Sequence, residues 1–331
     1  MYSFNLINPT ATQWQAIEGT YDNTVYKSRE WFSFLKSLGV KPFICEVLCD
    51  GRLVGWFLGE KVRRVFNLVG APIEGVGTAH QGLAMLEETP AAERIAIYDQ
   101  LAAWVFRNNM AVWFQVEDHC ITEDDLSGTT TLYEPHDRNT INLTLDEQSL
   151  YHNLSQKSCR YMIGKARREG ITIREASDPM AFLDLHYRQH LDIMRGKGMD
   201  ALKPKSFYIR LIETALPSLL LLEAVNLDGT IVATGIYAVG HGSSCYFSAA
   251  FDKTSGTSPN ELMTWEAMML CKARGARFFD LNGVDHWKFK FGGAYYRQPR
   301  LVYTRWQWLA GARREASRLY HKYRYKLVKI Q

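Results

Sequence analysis

The 331-residue sequence predicts an α/β (α+β) fold built twice over, and three observations carry that prediction. The composition, 47% hydrophobic and 22% charged with 24 Gly and 10 Pro, is ordinary globular usage and excludes disorder, collagen and low complexity. At roughly 100–200 residues per domain, the length suits two domains, each able to bury a core. The third observation is an internal repeat. Val47-Leu48-Cys49-Asp50-Gly51-Arg52-Leu53-Val54 reads as strand, Asp-Gly turn and strand, and Val225-Asn226-Leu227-Asp228-Gly229-Thr230-Ile231-Val232 repeats it 178 positions later.

The elements around the two hairpins recur in the same order. Each hairpin follows a helical segment bearing aromatics, Arg29–Leu38 in the first copy and Ser206–Leu216 in the second. Downstream, a helical run ends in a buried strand: Ala91–Asn108 with Ala111–Val116, then Pro259–Arg274 with Ala276–Leu281. Aligning Met110 with Gly275 gives an offset of 165, so the first copy carries about 13 extra residues between hairpin and helix. A helix also starts at Ser177-Asp178-Pro179, an N-cap followed by an early proline, with Met180, Leu183, Tyr187, Leu191 and Met194 on one stripe. These signals place domains at 1–150 and 151–300. A helix from Trp306 to about Lys326, aromatic on one side and basic on the other, fills the remainder (301–331) and is expected to pack back on the domains or to meet an anionic partner.

Charge is lopsided although the net value is only +4. Between Glu87 and Glu147 stand 13 acidic residues against three basic ones, Arg94, Arg107 and Arg138. From Arg297 to Lys329 there are ten basic residues and one acid, Glu315; a second basic cluster comprises Lys157, Arg160, Lys165, Arg167, Arg168 and Arg174. Such asymmetry points to phosphate, nucleotide, RNA or a membrane surface as partner. No apolar run reaches the ~18–20 residues of a membrane span, so any membrane contact is expected to be peripheral. Met1–Asn5 lacks a basic, then apolar, leader, so the chain is expected to be cytoplasmic. Its six scattered cysteines, without a C-x-x-C pair, agree with a reducing compartment.

The run from Ser243 to Gly293 carries a family resemblance. Ser243–Asp252 is a strand leading into a polar loop. It is followed by Pro259-Asn260-Glu261-Leu262, Trp265-Glu266-Ala267, Arg274-Gly275, Asp280, Gly283-Val284 and Lys288-Phe289-Lys290-Phe291-Gly292-Gly293. Upstream stand Lys157, Arg160-Tyr161, Lys165-Ala166, Arg168 and Gly170. This pattern resembles the second domain of the Fem-type aminoacyltransferases and their acetyltransferase relatives in the GNAT superfamily. Over the first domain the resemblance rests on the repeat and Ser28-Arg29-Glu30-Trp31. It implies tandem GNAT-like domains with mixed, mostly antiparallel twisted sheets flanked by helices.

Acyl transfer to an amine needs a neutral nitrogen, a polarised carbonyl and a home for the donor's phosphates. The resemblance implies that strands Ser243–Phe251 and Arg277–Asn282 splay, freeing a backbone N–H for the oxyanion, and that the helix after Pro259 aims its amides at phosphate. On that basis Lys288 is a candidate for charge neutralisation. Asp280 is a candidate base or a cap for the Asn282-Gly283 turn, and Tyr246 a candidate acid. Lys253, Gly256, Ser258 and Asn260 form the donor phosphate loop, which carries one Gly where coenzyme A enzymes usually show more. Lys157 and Arg160 suit an acceptor phosphate. Asp252, Trp287 and Phe291 complete a substrate pocket.

The resulting expectation is N-acyl transfer of an acyl group, acetyl in the simplest case, with acetyl-CoA or another acyl-CoA as the implied co-substrate, to an amine of an envelope or polysaccharide precursor, small or nucleotide-linked. Two alternatives stand beside it: aminoacyl-tRNA as donor with a peptidoglycan-precursor or peptide amine as acceptor, and a non-catalytic binding subunit of an envelope-biosynthesis assembly. No metal is expected, since His186 and His190 at i, i+4 lack a third ligand. Cys159 beside Arg160 lacks a base that would make it a nucleophile. Gly70, Gly75 and Gly77 around Pro72 read as a loop lining the cleft between domains.

Overall fold

The computed structural model describes residues 1–63, 67–71, 81–129, 131–201, 203–240, 242–283 and 285–327. Gly75 and Gly77 of the expected cleft loop lie outside them.

The first half runs β1 (Tyr2–Ile7), α1 (Ala11–Glu18), α2 (Arg29–Ser37), β2 (Lys41–Cys49), β3 (Arg52–Arg63), β4 (Asn67–Ala71), β5 (Gly82–Met85), α3 (Ala91–Arg107), β6 (Trp113–Glu117) and β7 (Leu132–Asn142). Then come α4 (Glu147–Asn153) and α5 (Tyr161–Arg168). The second half follows with β8 (Thr172–Glu175), α6 (Pro179–Arg195), α7 (Lys205–Ala215), β9 (Leu219–Val225), β10 (Ile231–Ala238), β11 (Ser243–Phe251), α8 (Asn260–Ala273), β12 (Phe278–Asp280), β13 (Ala294–Thr304) and α9 (Gln307–Leu327).

All the described strands join one mixed sheet in the order β1-β2-β3-β4-β6-β13-β7-β12-β11-β10-β9-β8, with β5 paired to β3. Read inward from either edge, the order is the same: three antiparallel strands, a parallel pair around a crossover helix, and a final strand. Those final strands are exchanged. β13 closes the first half against β6, and β7 closes the second against β12. β7 and β13 then pair with each other along nine residues at the centre. The exchange was not legible in the repeat, because pairing partners distant in sequence leave no local periodicity. The boundary expected at residue 300 falls inside β13, and β7, before the expected split at 150, pairs with strands of the second half.

The two Asp-Gly hairpins differ. Cys49 opposes Arg52, leaving a two-residue turn with both Asp50 (φ 48°) and Gly51 (φ 82°) left-handed, as the strand twist demands. In the second copy Val225 opposes Ile231, so the loop is longer, and the Asn226 and Asp228 side chains both accept the Thr230 N–H. The extra length of the first copy includes β5.

Apolar side chains sort into cores set by these layers. One lies under α3, with Phe57, Tyr98, Leu101 and Phe114. Another lies under α4, α5 and α8, with Ile141, Ile163, Trp265, Phe279 and Phe291. A third joins the halves: Trp31 and Phe34 of α2 pack with Phe207 and Leu211 of α7, the Phe34 and Phe207 rings meeting edge-on at 5.2 Å. Among its described side chains, helix α9 touches the body through its first turns. Arg313 stacks on Trp113 at 4.6 Å and bonds Glu134 at 3.0 Å, whereas the side chains described beyond Arg313 are exposed. Among the described side chains, the expected packing of this helix on the domains is carried by this anchor. None of the described helices is long and apolar enough to cross a membrane.

Candidate active site

Strands β11 and β12 run parallel for three residues, Ser243–Cys245 against Phe278–Asp280, and then part. β11 continues to Phe251 paired with β10 alone. The β12 chain turns away at Asn282 and Gly283, both with positive φ (56° and 97°). Just past the last shared pair, the β10–β11 register skips Phe247, a bulge that re-aims the strand where the gap opens. A main-chain edge without a strand beside it therefore begins at Tyr246. Such an edge presents amide hydrogens to a ligand carbonyl.

Three groups surround the gap. Tyr246 stands edge-on to Tyr237 (5.7 Å) and Trp287 (5.6 Å). Lys288, on the 3-10 turn His286–Phe291, is 5% exposed; its Nζ lies 5.9 Å and 5.5 Å from the Tyr246 and Trp287 ring centroids. It donates to the Asn282 carbonyl at 2.7 Å and sits 3.4 Å from the Asp285 carboxylate. Burial pulls its pKa below the usual lysine value, with Asp285 opposing. Asp280 is buried and accepts the Asn282 N–H at 2.7 Å, so it caps the turn that carries Lys288's acceptor carbonyl. Burial raises the Tyr246 phenol's pKa and keeps it protonated.

The loop before α8 holds itself. The Asp252 carboxylate accepts the Thr254 N–H (2.7 Å) and hydroxyl (2.6 Å), so it anchors a turn, which also holds its own pKa down. Gly256 takes a left-handed φ of 68°, and Lys253 is exposed with its ammonium against Gly196, the residue that ends α6. Ser258 and Pro259 lead into an α8 start with no side-chain cap, and the Asn260 Oδ1 is buried without a partner among the described residues. Lys157 is exposed and Arg160 half-buried on a single π turn, Gln156–Arg160. The Ser155 N–H donates to the Lys290 carbonyl, seating that turn beside the Lys288 turn. Trp287 is 37% exposed over the gap, while Phe291 is core that also lines a cavity. The Cys159 thiol is pushed up to about 12 by burial, the opposite of an activated nucleophile. His186 engages hydroxyls on both nitrogens, Thr234 at 3.0 Å and Ser248 at 2.9 Å.

Several groups escaped the sequence reading. Lys290 pairs with Glu261 in the first turn of α8 and closes over the Trp287 and Phe291 rings. Its place immediately before Phe291-Gly292-Gly293 was the available signal. Arg138, on β7, is gripped by the buried Glu117 and lies 4.0 Å from Asp280. Its signal was being one of three cations in an acidic stretch. A cavity of about 940 Å³ opens between the halves, lined in part by Tyr21, Thr140, Asn142, Arg277, Phe278 and Tyr296. There the Arg277 guanidinium stacks on Tyr21 at 4.9 Å and donates to the Tyr21 carbonyl. Thr140 pairs across the sheet with Asp280, which puts this cavity beside the end of β12.

Residues 155–295 match the family described as an acetyltransferase (GNAT) domain. No curated protein matches the sequence. Among solved structures, the chain is similar to FemX at 10% identity, covering 91% of this chain and 97% of that one with a TM-score of 0.73. It is similar to L-PGS from Bacillus licheniformis at 14% identity, 94% and 97% coverage and a TM-score of 0.55. A tandem GNAT protein from the clavulanic acid biosynthesis pathway aligns at 8% identity, 92% and 98% coverage and a TM-score of 0.50. At these identities the likeness is one of fold. With strands that part beside a buried lysine, residues 155–295 match a GNAT acetyltransferase domain, in a chain whose fold as a whole is similar to those of FemX and a tandem GNAT protein.

Proposed function

We propose that this chain is an N-acyltransferase that takes an acyl group from acyl-CoA, acetyl-CoA in the simplest case, and passes it to an amine of an envelope or polysaccharide precursor. The carrying observation is the parting of β11 and β12 after three shared residues, with Lys288 and Tyr246 at its mouth. The acyl carbonyl lies along the free β11 edge. The acceptor amine, entering from the cavity beside Asp280, attacks the carbonyl carbon, and the thioester's π electrons move onto oxygen. Backbone amide and Lys288 ammonium stabilise that oxyanion. Collapse re-forms the carbonyl, breaks the carbon–sulfur bond and expels thiolate, which takes a proton from Tyr246. The amine's proton leaves through Asp280 or water and is returned to the Tyr246 phenolate, so that one proton in all passes from amine to thiolate. Lys157 and Arg160 hold an acceptor's phosphate, and the uncapped start of α8 supports anion binding at the donor loop before it.

A second reading, with aminoacyl-tRNA as donor, is favoured by one specific observation. Asp252 and Ser255 already occupy loop amides, and Glu261 places a carboxylate in the first turn of α8, where a pyrophosphate would sit. Both readings place the protein in the cytoplasm, where these donors occur.

The test is release of free thiol from acetyl-CoA with a panel of amino sugars and peptide amines, alongside thermal shift with CoA. Stabilisation by CoA and amine-dependent thiol release, lost in Lys288→Met, support the first reading. Salt-sensitive tRNA binding without a CoA shift supports the second. Response to neither would leave a binding subunit and overturn both.

A further inference from the structure

Helix α9 has a feature that acyl transfer does not use. Trp308, Ala312, Ala316 and Leu319 recur at spacings of four, four and three residues, which places them on one face of the helix, and Tyr323 and Leu327 continue the same spacing in sequence. Residues 307–327 carry six Lys or Arg against one acid, Glu315. By the same geometry, Arg314 and Arg318 fall on the other side. Nothing described covers the apolar face: Trp308 is 62% exposed and Leu319 47%, and Ala312 and Ala316 are exposed as well. Trp306, 41% exposed, stacks on Trp308 with ring centroids 6.1 Å apart, at the end of the helix anchored to the body. Beneath it, a groove lined by Ala310 and Arg314 is bordered by Leu132 and Tyr133, two more exposed apolar side chains of β7.

We propose that α9 is an in-plane anchor for an anionic lipid surface. Charge selects the class of partner, because six cations over about 31 Å of helix require a negative one. The apolar face selects among negative partners. Alanine and leucine side chains offer nucleotides neither hydrogen bonds nor stacking, yet gain from burial at the acyl boundary, and indole rings favour that interface. The same cations oppose insertion across the bilayer and disfavour pairing two such helices side by side. Anchored by Arg313 on Trp113 and Glu134, the helix presents the lipid face from a fixed edge of the central β7–β13 pair. This assignment is independent of the acyl donor.

The experiment is sedimentation of the full chain with vesicles of phosphatidylcholine alone or mixed with phosphatidylglycerol. Partitioning onto the mixed vesicles, weakened by salt, is expected, with little on phosphatidylcholine alone. Trp308→Ser with Leu319→Ser, and separately Arg314→Glu with Arg318→Glu, should each lower partitioning by about tenfold or more. These positions are exposed, so thermal unfolding should be unchanged. Absence of vesicle binding, binding indifferent to both variant pairs, concentration-dependent self-association through α9, or retention by tRNA in place of vesicles would each overturn the proposal.

Discussion

The two halves repeat a topology but treat its central crevice in opposite ways. In the second half, nine-residue β11 shares only three residues with β12 and leaves a gap overlooked by Lys288. In the first, β4 and β6 pair over four residues of five, Leu68–Ala71 against Trp113–Val116. The corresponding space beside α3 holds a closed ion cluster. Arg94 bonds Asp118 at 2.8 Å and also Asp22, Lys27 stands 3.4 Å from Asp22, and Tyr98 donates to Asp118 at 2.7 Å; each of the four charged side chains is at most 2% exposed. Burial would raise the Asp118 pKa, but the facing cations outweigh it and hold the carboxylate ionised. One crevice is filled with matched charge and the other kept open over a desolvated cation. Duplication supplies the frame, and the residues facing the crevice decide whether it becomes a plug or a site.

That contrast can be broken, most strongly at the plug. Arg94→Met removes one of the two buried cations that face Asp22 and Asp118, and should cost about 3–5 kcal/mol, read as a fall in the urea midpoint. Lys288→Met should behave inversely. Folding stability holds or rises as a desolvated cation becomes apolar, while acyl transfer falls about 10²-fold or more in single-turnover kinetics. Equal loss of stability in both variants would erase the distinction between the halves.

A smaller effect comes from pH. His186, behind the parting strand, is held at about 3 by burial first and by His190 second, against an ordinary value of 6.5. The native state thus refuses a proton that the unfolded chain accepts. Its contribution to stability is complete above pH 6.5 and declines as pH falls toward 3, by up to about 1.4 kcal/mol per unit. Urea midpoints at pH 7 and pH 5 should separate in the wild type and converge in His186→Gln. The smallest effect concerns the hairpins: Gly51→Ala and Gly229→Ala, both at positive φ with open space around the new methyl, should each cost about 1 kcal/mol from backbone strain alone. A clear difference between them would show that the two loops tolerate strain unequally.

Local signals located most elements. Helix bounds for α2, α3, α7 and α8 and the strands that follow α3 and α8 were visible because caps, glycine stops and apolar spacing are properties of a few consecutive residues. Tyr246, Trp287, Lys288 and Asp280 do converge, since all lie within one short stretch of the second half. Asp252 and Lys253 do not join them. A carboxylate two residues before Thr254 satisfies its own loop first, and Lys253 lies against Gly196. Lys290, Arg138 and the Arg277–Tyr21 stack were missed because their partners (Glu261, Glu117 and a tyrosine in the other half) are set by chain crossings rather than spacing.

Sequence alone therefore determined the doubled α/β plan, the Fem-like signature of the second half and the amphipathic basic tail, since composition, turn chemistry and helical periodicity are written in neighbouring residues. Tertiary structure decided the rest. The exchange of β7 and β13, the plug in one crevice and the gap in the other, and the open face of α9 all depend on long-range pairing. Pairing and burial between elements far apart in the chain, Arg94 with Asp22 and β7 with β13 among them, settle which charges are neutralised and which surfaces stay bare.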